Sequence, residues 1–587
     1  MTRARAGRAV RAVRAVRARR ARLATLAAFI ALLLVLGFTL PVYWVFLLST
    51  VAISALIARS VGLVTNQAGL VTLCQMSFAA IGGWLVSWMA LHWPHLSFVV
   101  IVLMGGVVAG VAGLLIGIAT VRIRGIEFAV VTLGFAAALD LVLRQGSFPG
   151  VGSGTAVTPQ APFDDPRGFF VLAWAVLLAV QLGLGALGRT RHGLAWPAVK
   201  ASERAAAALG VRVGAAKAGA MGAGALVAGL GGGLLAGQYG LLTTQVFSPL
   251  TSMVHLATAV LCGASLFSGA VLAGVFAVFV PELLRRIGLP PDIANALLAI
   301  AAFDVLRRGN GGLAEQWRAK REDRAFRGIP RSCALLPLEG GATARDRDAT
   351  PCLEITGLTV AFGGQRALDG ASLTVRHGDV HALIGPNGAG KTTFIDVVTG
   401  FVPADAGGIA VAGRALGGLT VQQRVAAGVR RTFQQPRGTS AMTVDEYLRL
   451  AAGPGHAERQ GTASRAAVAE FFGLPSGDVP IRLLDVGSRR ILEIAGALAS
   501  APTLLLLDEP AAGLDVAQSL ELAERVRRLP ERFGCAVLLI EHDMAFVRAA
   551  ANRATVLDGG RVIAGGETAA VLDEPVVIAA YLGTEIA

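Results

Sequence analysis

The sequence predicts two parts of different fold class: an all-α membrane domain of about eight to ten spans, followed by an α/β domain built around a phosphate-binding loop. Of the 587 residues, 54% are hydrophobic and 16% are charged, against about 25% charged in ordinary domains. The long apolar stretches all lie between Leu23 and Leu306, and the phosphate-loop motif Gly385–Thr392 lies in a second half of ordinary soluble composition. These observations exclude a disordered chain and make a wholly soluble one improbable.

Ten apolar stretches are candidate membrane spans, because a helix needs about 20 residues to cross roughly 30 Å of hydrocarbon. Their Gly and Ala content, as in Ala223–Gly237, favours close helix packing in lipid. The last three are the shortest. The candidates are Leu23–Leu40, Val42–Val64, Gly69–Leu91, Phe98–Thr120, Ile126–Leu143, Phe169–Leu187, Ala215–Gln238, Leu250–Leu266, Ser268–Val280 and Ile293–Leu306.

Basic residues predict the orientation of these spans. Nine arginines lie in residues 1–22, which is typical of a cytoplasmic tail attracted to anionic membrane lipid. Alternate counting then places Arg189–Lys217 and the chain after Leu306 in the cytoplasm. The same counting places Arg285 and Arg286 on the non-cytoplasmic side, which is an exception to the charge rule unless the ninth segment is re-entrant. We expect a multi-pass protein of the cytoplasmic membrane with its N-terminus and soluble domain inside, and no nucleic-acid partner for the +14 charge.

The loop Arg189–Lys217 is predicted to contain one short amphipathic helix, Ala198–Leu209, with Pro197 at its start. Glu203 and Arg204 give this helix a polar face. Lying in the cytoplasm between two spans, it is well placed to contact a soluble domain, the alternative being a helix on the membrane surface.

Composition also predicts the boundaries of the parts. The chain divides into an Arg-rich tail at 1–22, a transmembrane domain at 23–308, a charged and Gly-bearing linker at 309–350, and an α/β domain at 351–587.

The second half begins with a phosphate-binding motif. GPNGAGKT follows the apolar strand Val380–Ile384 and precedes a helical stretch, which is the context that the motif requires. Backbone N–H groups of such a loop surround phosphate, while Lys391 reaches the β- and γ-phosphates and Thr392 helps to hold Mg²⁺. The expected nucleotide-binding residues are Gly385, Pro386, Asn387, Gly388, Ala389, Gly390, Lys391, Thr392 and Thr393.

A second apolar strand ends in two carboxylates. Thr503–Leu507 is a continuous apolar run of the kind buried on both faces of a sheet. Asp508, which follows it, is expected to bind Mg²⁺, and Glu509 to polarise an attacking water molecule.

These motifs, together with RTFQQ and LLIEHDM, resemble the ATP-binding domains of ABC transporters over essentially the whole second half. The resemblance implies that Gln434 is the Q-loop glutamine, which contacts the metal and the reaction site. It further implies that His542 is the switch histidine, that Gly513–Asp515 is the D-loop, and that Phe362 stacks on adenine. The implied cofactors are ATP and Mg²⁺.

Within that family, the second half looks like the LivG-type ATPase of branched-chain amino acid importers and the first half like the LivM-type permease. The stretches that carry the permease resemblance include VRIRGIEFAVVTLGF and VKASERAAAALGV. The resemblance implies ATP-driven import by a fused permease–ATPase chain, with a separate extracytoplasmic binding protein and further permease and ATPase subunits. The helix with Ala198, Glu203, Arg204 and Leu209 would be the coupling helix.

One motif departs from the family pattern. The signature, usually LSGGQ or LSYGQ, reads LDVGS at Leu484–Ser488. Gly487 is kept, Asp485 replaces the serine that donates to phosphate on the opposite subunit, and Ser488 replaces the glutamine. A carboxylate beside phosphate is repelled by several kcal/mol at an effective dielectric constant of about 20. We therefore expect one good and one weak ATP site in a pair, which favours a heteromeric partner with an intact signature over a self-dimer.

Two other functions stay open at this point. Urea, short-chain amide and aromatic-acid importers share these motifs. A membrane regulator with a defective ATPase is supported by LDVGS alone.

Overall fold

A computed structural model describes residues 24–25, 27–123, 125–290, 292–308, 311–335, 350–433, 440–453 and 465–582. The Arg-rich tail and Gln434 lie outside these ranges. The chain forms two compact units. The first contains the residues before Leu187 together with Lys217–Ala319, and the second contains Leu187–Ala216 together with the chain from Lys320 onward.

The first unit is helical throughout, and each of the ten predicted spans corresponds to a helix. Six helices are long and apolar enough to cross a membrane: α2, α4, α5, α6, α9 and α11. The bounds are α1 Ala27–Thr39, α2 Val42–Val61 (continued by a π-helical turn to Gln67), α3 Gln75–His92, α4 Phe98–Ala119, α5 Ile126–Gly146, α6 Pro166–Leu187, α9 Val213–Tyr239, α10 Pro249–Cys262, α11 Phe267–Arg286 and α12 Asp292–Arg308.

Two details differ from the predicted spans. The third helix begins at Gln75 rather than Gly69, because residues 68–74 are not helical. The ninth helix was expected to be short, but α11 continues to Arg286 and is long enough to span. The length of α11 therefore favours a full span over a re-entrant segment. Arg285 and Arg286 both pair with Glu282, at 2.9 and 2.8 Å, so one carboxylate offsets part of their charge.

The glycines of α9 permit close backbone approach, as the sequence indicated. A Cβ atom on Gly232 would lie 1.8 Å from the carbonyl oxygen of Ala79 in α3. A Cβ atom on Gly113 of α4 would lie 2.2 Å from the Cβ of Ala225 in α9. Small residues at these positions let three helices pack backbone against backbone, which is how helices associate where no hydrophobic force acts between them.

The second unit contains an α/β domain with two sheets. The four-stranded sheet has the order β2-β1-β4-β5 and is antiparallel, and the six-stranded sheet has the order β10-β9-β3-β8-β7-β6. The strands are β1 Pro351–Phe362, β2 Gln365–Arg376, β3 Val380–Ile384, β4 Ala406–Val411, β5 Arg414–Ala415, β6 Val429–Arg431, β7 Leu504–Asp508, β8 Ala536–Ile540, β9 Arg553–Asp558 and β10 Arg561–Glu567.

Parallel pairing brings the predicted site residues to one edge of the second sheet. Strand β8 pairs in parallel with both β3 and β7, so the carboxyl ends of these three strands lie side by side. The phosphate loop follows β3, Asp508 ends β7, and His542 follows β8. Open α/β sheets bind ligands at this edge.

The helices of the domain begin after β3, and two of them follow β10. They are α14 Lys391–Thr399, α15 Val421–Ala426, α16 Val444–Ala452, α17 (described over 465–471), α18 Val486–Leu498, α19 Val516–Phe533, α20 Met544–Ala550, α21 Thr568–Leu572 and α22 Pro575–Leu582.

The cytoplasmic loop contains two helices, so the prediction of one helix over Ala198–Leu209 was wrong. Helix α7 spans Arg191–Ala201 and helix α8 spans Glu203–Ala208. Thr190 starts α7 by accepting a hydrogen bond from the backbone of Gly193, which leaves Pro197 inside the helix rather than at its start. Ser202 is extended, which ends α7, and its side chain caps α8 by accepting from the backbone N–H of Ala205.

The predicted linker at 309–350 also contains ordered structure. Helix α13 spans Leu313–Ala325. Two of its acidic residues, Glu322 and Asp323, form ion pairs with Arg482 at 3.0 and 2.9 Å. Beyond it, the backbone N–H of Cys333 donates to Ser488 Oγ at 2.8 Å. The charged run was predicted to be a linker, but two of its charges have a partner that is distant in the sequence.

Candidate active site

The phosphate loop connects β3 to α14 in a shape that side chains would obstruct. A Cβ atom on Gly385 would lie 2.0 Å from the carbonyl oxygen of Leu557, and one on Gly390 would lie 2.4 Å from that of Ala367. Gly388 and Gly390 have positive φ angles of 84° and 101°. The backbone therefore bends tightly before α14, leaving N–H groups at a helix N-terminus, which is a suitable arrangement for phosphate.

Lys391 is the first residue of α14 and is half-buried. Its Nζ donates to the carbonyl oxygens of Gly385 at 2.5 Å and Pro386 at 2.8 Å. Burial lowers the pKa of Lys391, while the carboxylates of Glu509 and Asp508 act in the opposite direction. The ammonium group is thus held inside the loop, near Asp508, the predicted metal ligand, and Glu509, the predicted catalytic carboxylate. Thr392 is exposed and Thr393 is partly buried beside it.

Asp508 is buried at the carboxyl end of β7. Its Oδ2 accepts from Arg431 Nη2 at 3.0 Å. Burial raises the pKa of Asp508, and the positive charge of Arg431 opposes that rise. The sequence interpretation did not include Arg431, although it stands three residues before the Q-loop glutamine in VRRTFQQ.

Glu509 occupies a strained position. Its φ angle is +47°, in the left-handed region that a non-glycine residue enters at a cost of about 1–3 kcal/mol. Two hydrogen bonds hold it there: its N–H donates to Ile540 O at 2.9 Å, and its carbonyl oxygen accepts from Arg490 Nη2 at 2.6 Å. The side chain is 22% exposed. The backbone turn therefore directs Glu509 out of the sheet edge.

Arg490 is completely buried and was missed by the sequence interpretation. It lies in α18, directly after the degenerate signature, and donates to the carbonyl oxygens of Phe433, Asp508 and Glu509. Burial lowers the pKa of Arg490, and the nearby carboxylates oppose that change. One side chain thus connects the signature helix, the residue before Gln434 and both carboxylate positions.

His542 lies beside Glu509, as the predicted roles require. Its Nδ1 is 4.0 Å from Glu509 Oε1 and 3.5 Å from Glu541 Oε2, and its side chain is 68% exposed. Glu541 is buried, accepts from the backbone N–H groups of Ala511 and His542, and has its pKa raised by burial. Glu541 joins the loop after Glu509 to the loop that contains His542.

Three predicted site residues remain, which are Phe362, Asp515 and Gln434. Phe362 is 53% exposed at the turn between β1 and β2, where it pairs with Gln365. Strand β2 continues to Ala367, whose carbonyl oxygen lies against Gly390. Asp515 of the D-loop caps α19 by accepting from the backbone of Gln518 at 2.8 Å. Gln434 lies outside the described residues.

In the signature segment, Asp485 caps its own helix. The carboxylate accepts from the backbone N–H of Ser488 at 2.6 Å at the start of α18. Ser488 is buried, and its hydroxyl accepts from Cys333. A Cβ atom on Gly487 would lie 2.6 Å from Leu514 of the D-loop. The N-terminus of α18 is therefore capped by a carboxylate of the same segment.

The loop helices pack on the ATP-binding domain within the same compact unit. Ala198 and Leu209 are buried in its hydrophobic core. Arg204 lies 3.7 Å from Asp396 of α14 and 5.2 Å over the ring of Phe401. Asp396 also pairs with Arg431, which pairs in turn with Asp508. An alternating series of charges, Arg204–Asp396–Arg431–Asp508, thus links the loop to the sheet edge.

Comparisons with known proteins agree with both halves. A family model described as "ABC transporter" matches residues 368–512. Another, described as "Branched-chain amino acid transport system / permease component", matches residues 43–303. The chain is 38% identical over 250 residues to the high-affinity branched-chain amino acid transport ATP-binding protein LivG of Salmonella typhimurium, covering 40% of this chain and 98% of that protein.

Two further matches have similar extent. The chain is 36% identical over 255 residues to the corresponding ATP-binding protein BraF of Pseudomonas aeruginosa, with coverage of 40% and 98%. A crystal structure of a nucleotide-free ATP-binding cassette from an ABC transporter matches at 28% identity with a TM-score of 0.36, covering 40% of this chain and all of that one.

The chain belongs to the ABC transporter family. It is an ATP-hydrolysing transporter in which a permease domain of the branched-chain amino acid type and a LivG-like ATP-binding domain share one polypeptide. Its helical half makes it a multi-pass membrane protein.

Proposed function

We propose that this chain imports branched-chain amino acids across the cytoplasmic membrane as a fused permease–ATPase subunit. The observation that supports this most strongly is that the two halves independently match components of branched-chain amino acid transport. The N-terminus and the ATP-binding domain would lie in the cytoplasm. An extracytoplasmic binding protein would deliver the solute, and a second permease and a second ATPase would complete the complex.

ATP binding would use the phosphate loop from Gly385 to Thr393, with Lys391 at the terminal phosphates and Phe362 against the adenine. Bound Mg²⁺ would neutralise phosphate charge, and Thr392, Asp508 and Gln434 would hold it. Their hydroxyl, carboxylate and amide oxygens are the ligands that Mg²⁺ prefers. In the described part of the chain, no group of three His, Cys, Asp or Glu residues could hold a metal. A metal held partly by substrate phosphates fits such a donor set.

Hydrolysis would depend on Glu509 and His542. The Glu509 carboxylate would accept hydrogen bonds from the attacking water and orient it, as a general base does. His542, beside it, would donate to the terminal phosphate. Because Arg490 and Ile540 hold the Glu509 backbone in place, this carboxylate is positioned before substrate arrives.

The loop helices α7 and α8 would couple nucleotide binding to movement of the membrane helices. The series Arg204–Asp396–Arg431–Asp508 supports this, since the same carboxylate that would hold the metal is two ion pairs away from Asp396, the partner of Arg204. A shift of Asp508 or Arg431 on nucleotide binding would change the position that Asp396 offers to Arg204. Movement of the loop would then change the conformation of the membrane helices.

The degenerate signature supports an asymmetric pair of ATP sites. The phosphate loop of this chain would be completed by the intact signature of a partner, and the segment with Asp485 would contribute to a weak site. A carboxylate accepts hydrogen bonds, as Asp485 does from the backbone of Ser488, and so it would not replace a hydroxyl that donates to phosphate.

Uptake of labelled leucine in cells tests this function. We expect uptake with the native chain and loss of uptake with Lys391→Ala at equal protein level. Unchanged leucine entry would remove this substrate, and urea, short-chain amides and aromatic acids would be assayed next. Failure of all solutes, with no ATP hydrolysis beside any partner, would instead support a regulator with a defective ATPase.

A further inference from the structure

A cavity of about 250 Å³ lies between the cytoplasmic loop and the ATP-binding domain, within one compact unit. Arg191 and Arg212 line it from the loop, and Gln422, Arg430 and Ser500 line it from the domain. Three of its lining residues are arginines, and no acidic side chain lines it among the residues that the structure describes. This volume is several times the roughly 30 Å³ that a water molecule occupies in the liquid.

Arg430 is 8% exposed and is only partly satisfied by its neighbours. Its Nη1 donates to the carbonyl oxygens of Val425 at 2.6 Å and Val429 at 3.3 Å. Its Nε is buried and has no hydrogen-bond partner among the described residues. A buried charged group that lacks a partner is costly, so such groups usually meet a counter-charge.

Arg191 approaches Arg430 from the opposite wall. Its Nη2 donates to the carbonyl oxygens of Leu209 and Gly210, each at 3.3 Å, while its Nε has no partner in the described part of the chain. A Cβ atom placed on Gly453 would lie 3.6 Å from Arg430 Nη2 and 4.0 Å from Arg191 Nη2. The two guanidinium groups therefore converge on one region.

The electrostatics of the cavity are those of a cation cluster. Burial lowers the pKa of Arg430 to about 10, and the charge of Arg191 contributes to this shift. Burial and the charge of Arg212 lower the pKa of Arg191 as well. Arg191 and Arg430 are thus like charges that lie close together, and an anion between them would relieve their repulsion.

We propose that this cavity binds a small anion of the phosphate class, such as a phosphate ester or pyrophosphate. Guanidinium groups bind phosphate oxygens through paired N–H donors, and two of them converge here from separate parts of the unit. The anion would join the loop to the strand that contains Arg431, and would thereby strengthen the seating of α7 and α8 on the ATP-binding domain. Binding of the anion does not depend on which solute the protein transports.

The test uses the full-length protein in nanodiscs of phosphatidylcholine, with pyrophosphate as the probe. Lys391→Ala serves as the parent, because the phosphate loop would otherwise bind the probe. We expect pyrophosphate to raise the Tm saturably by about 3 °C. Gln422→Glu, which places a carboxylate among the arginines, should raise the Tm without the probe and weaken the pyrophosphate response at least tenfold.

Gln423→Glu is the matched control. It makes the same change of charge one residue away, where the side-chain oxygen accepts from the backbone of Thr420 at 2.8 Å and a carboxylate can do the same. We expect it to respond like the parent. Equal responses of the two glutamate variants, or no saturable response in the parent, would overturn the proposal.

The lipid composition of the discs distinguishes two sources of the phosphate group, a lipid headgroup and a free anion. A rise in Tm in phosphatidylglycerol discs without pyrophosphate, abolished by Gln422→Glu and kept by Gln423→Glu, would support the site with a lipid headgroup as its ligand. Arg191→Ala gives a second check, since it removes one donor at a partly exposed position and leaves the Arg430 side chain in the cavity. It should weaken the pyrophosphate response several-fold.

Discussion

The phosphate loop and the signature segment belong to one domain but use their charged side chains differently. At the sheet edge, Lys391 is held by carbonyl oxygens of the phosphate loop, and Asp508 and Glu509 are held by the buried Arg431 and Arg490. At the signature, Asp485 bonds to its own helix, and Ser488 bonds to Cys333. The charged groups of the first region are held in position for a ligand, whereas the polar side chains of the signature make their hydrogen bonds within the chain. This difference supports the proposal that the two ATP sites of an assembled pair are unequal.

The largest expected effect comes from breaking the active region. Glu509→Gln keeps the side-chain shape but removes the negative charge that orients water. We expect ATP turnover of the full complex to fall about 100-fold, with nucleotide binding retained. Glu531→Gln, an exposed change on α19, should leave turnover unchanged. Retention of most activity in Glu509→Gln would contradict the role of this carboxylate.

The next effect concerns the support of that region. Arg431→Gln leaves Asp396 and Asp508 buried without their shared cation, so we expect the ATP-binding domain to lose about 3 kcal/mol of stability. Scanning calorimetry of the full chain would show this as a lower Tm. Arg431→Lys restores a charge but not the forked pair of donors. Its Tm should therefore lie between that of the native chain and that of Arg431→Gln. Equal melting of the glutamine variant and the native chain would show that the ion pairs contribute no net stability.

A smaller effect is expected where the series of charges reaches the loop. The Arg204–Asp396 contact is long and half-exposed, so Arg204→Ala should change stability by less than about 1 kcal/mol. We expect leucine uptake per ATP hydrolysed to fall about fivefold, while ATP turnover itself is kept. Arg189→Ala removes an exposed cation from the same loop and should alter neither quantity. A parallel loss of uptake and turnover in Arg204→Ala would point to misfolding rather than uncoupling.

The smallest effect belongs to the signature helix. Asp485→Ala removes the N-cap of α18 and should cost about 1 kcal/mol in a denaturation experiment. Asp485→Ser keeps a capping oxygen, so its stability should match that of the native chain. An unaltered stability in the alanine variant would mean that the cap hydrogen bond is not important.

Much of this architecture could be predicted from the sequence because it rests on local patterns. Apolar length located all ten helices of the membrane unit, and the spacing of Gly385–Thr392 and Asp508 located the sheet edge. The break between α7 and α8 was missed, because Ser202 acts through its own hydroxyl and leaves the hydrophobic pattern unchanged.

The residues that hold the site side chains in place could not be predicted, because their roles depend on tertiary contacts. Arg490 and Arg431 look like surface cations in the sequence, yet each is buried and has partners that are 18 to 77 residues away. Most of the partners of Arg490 are carbonyl oxygens, which no residue pattern identifies. Cys333 was assigned to the linker, and its hydrogen bond to Ser488 appears only when the chain is folded.

The most direct test compares Asp485→Ser with Glu509→Gln in the complete transporter with its partner ATPase. ATP turnover would be measured in the reconstituted complex, with equal amounts of assembled protein. Unequal sites predict a change of less than about threefold for Asp485→Ser and a loss of about 100-fold for Glu509→Gln. A large gain in Asp485→Ser, or equal losses in the two variants, would contradict this division between the two regions.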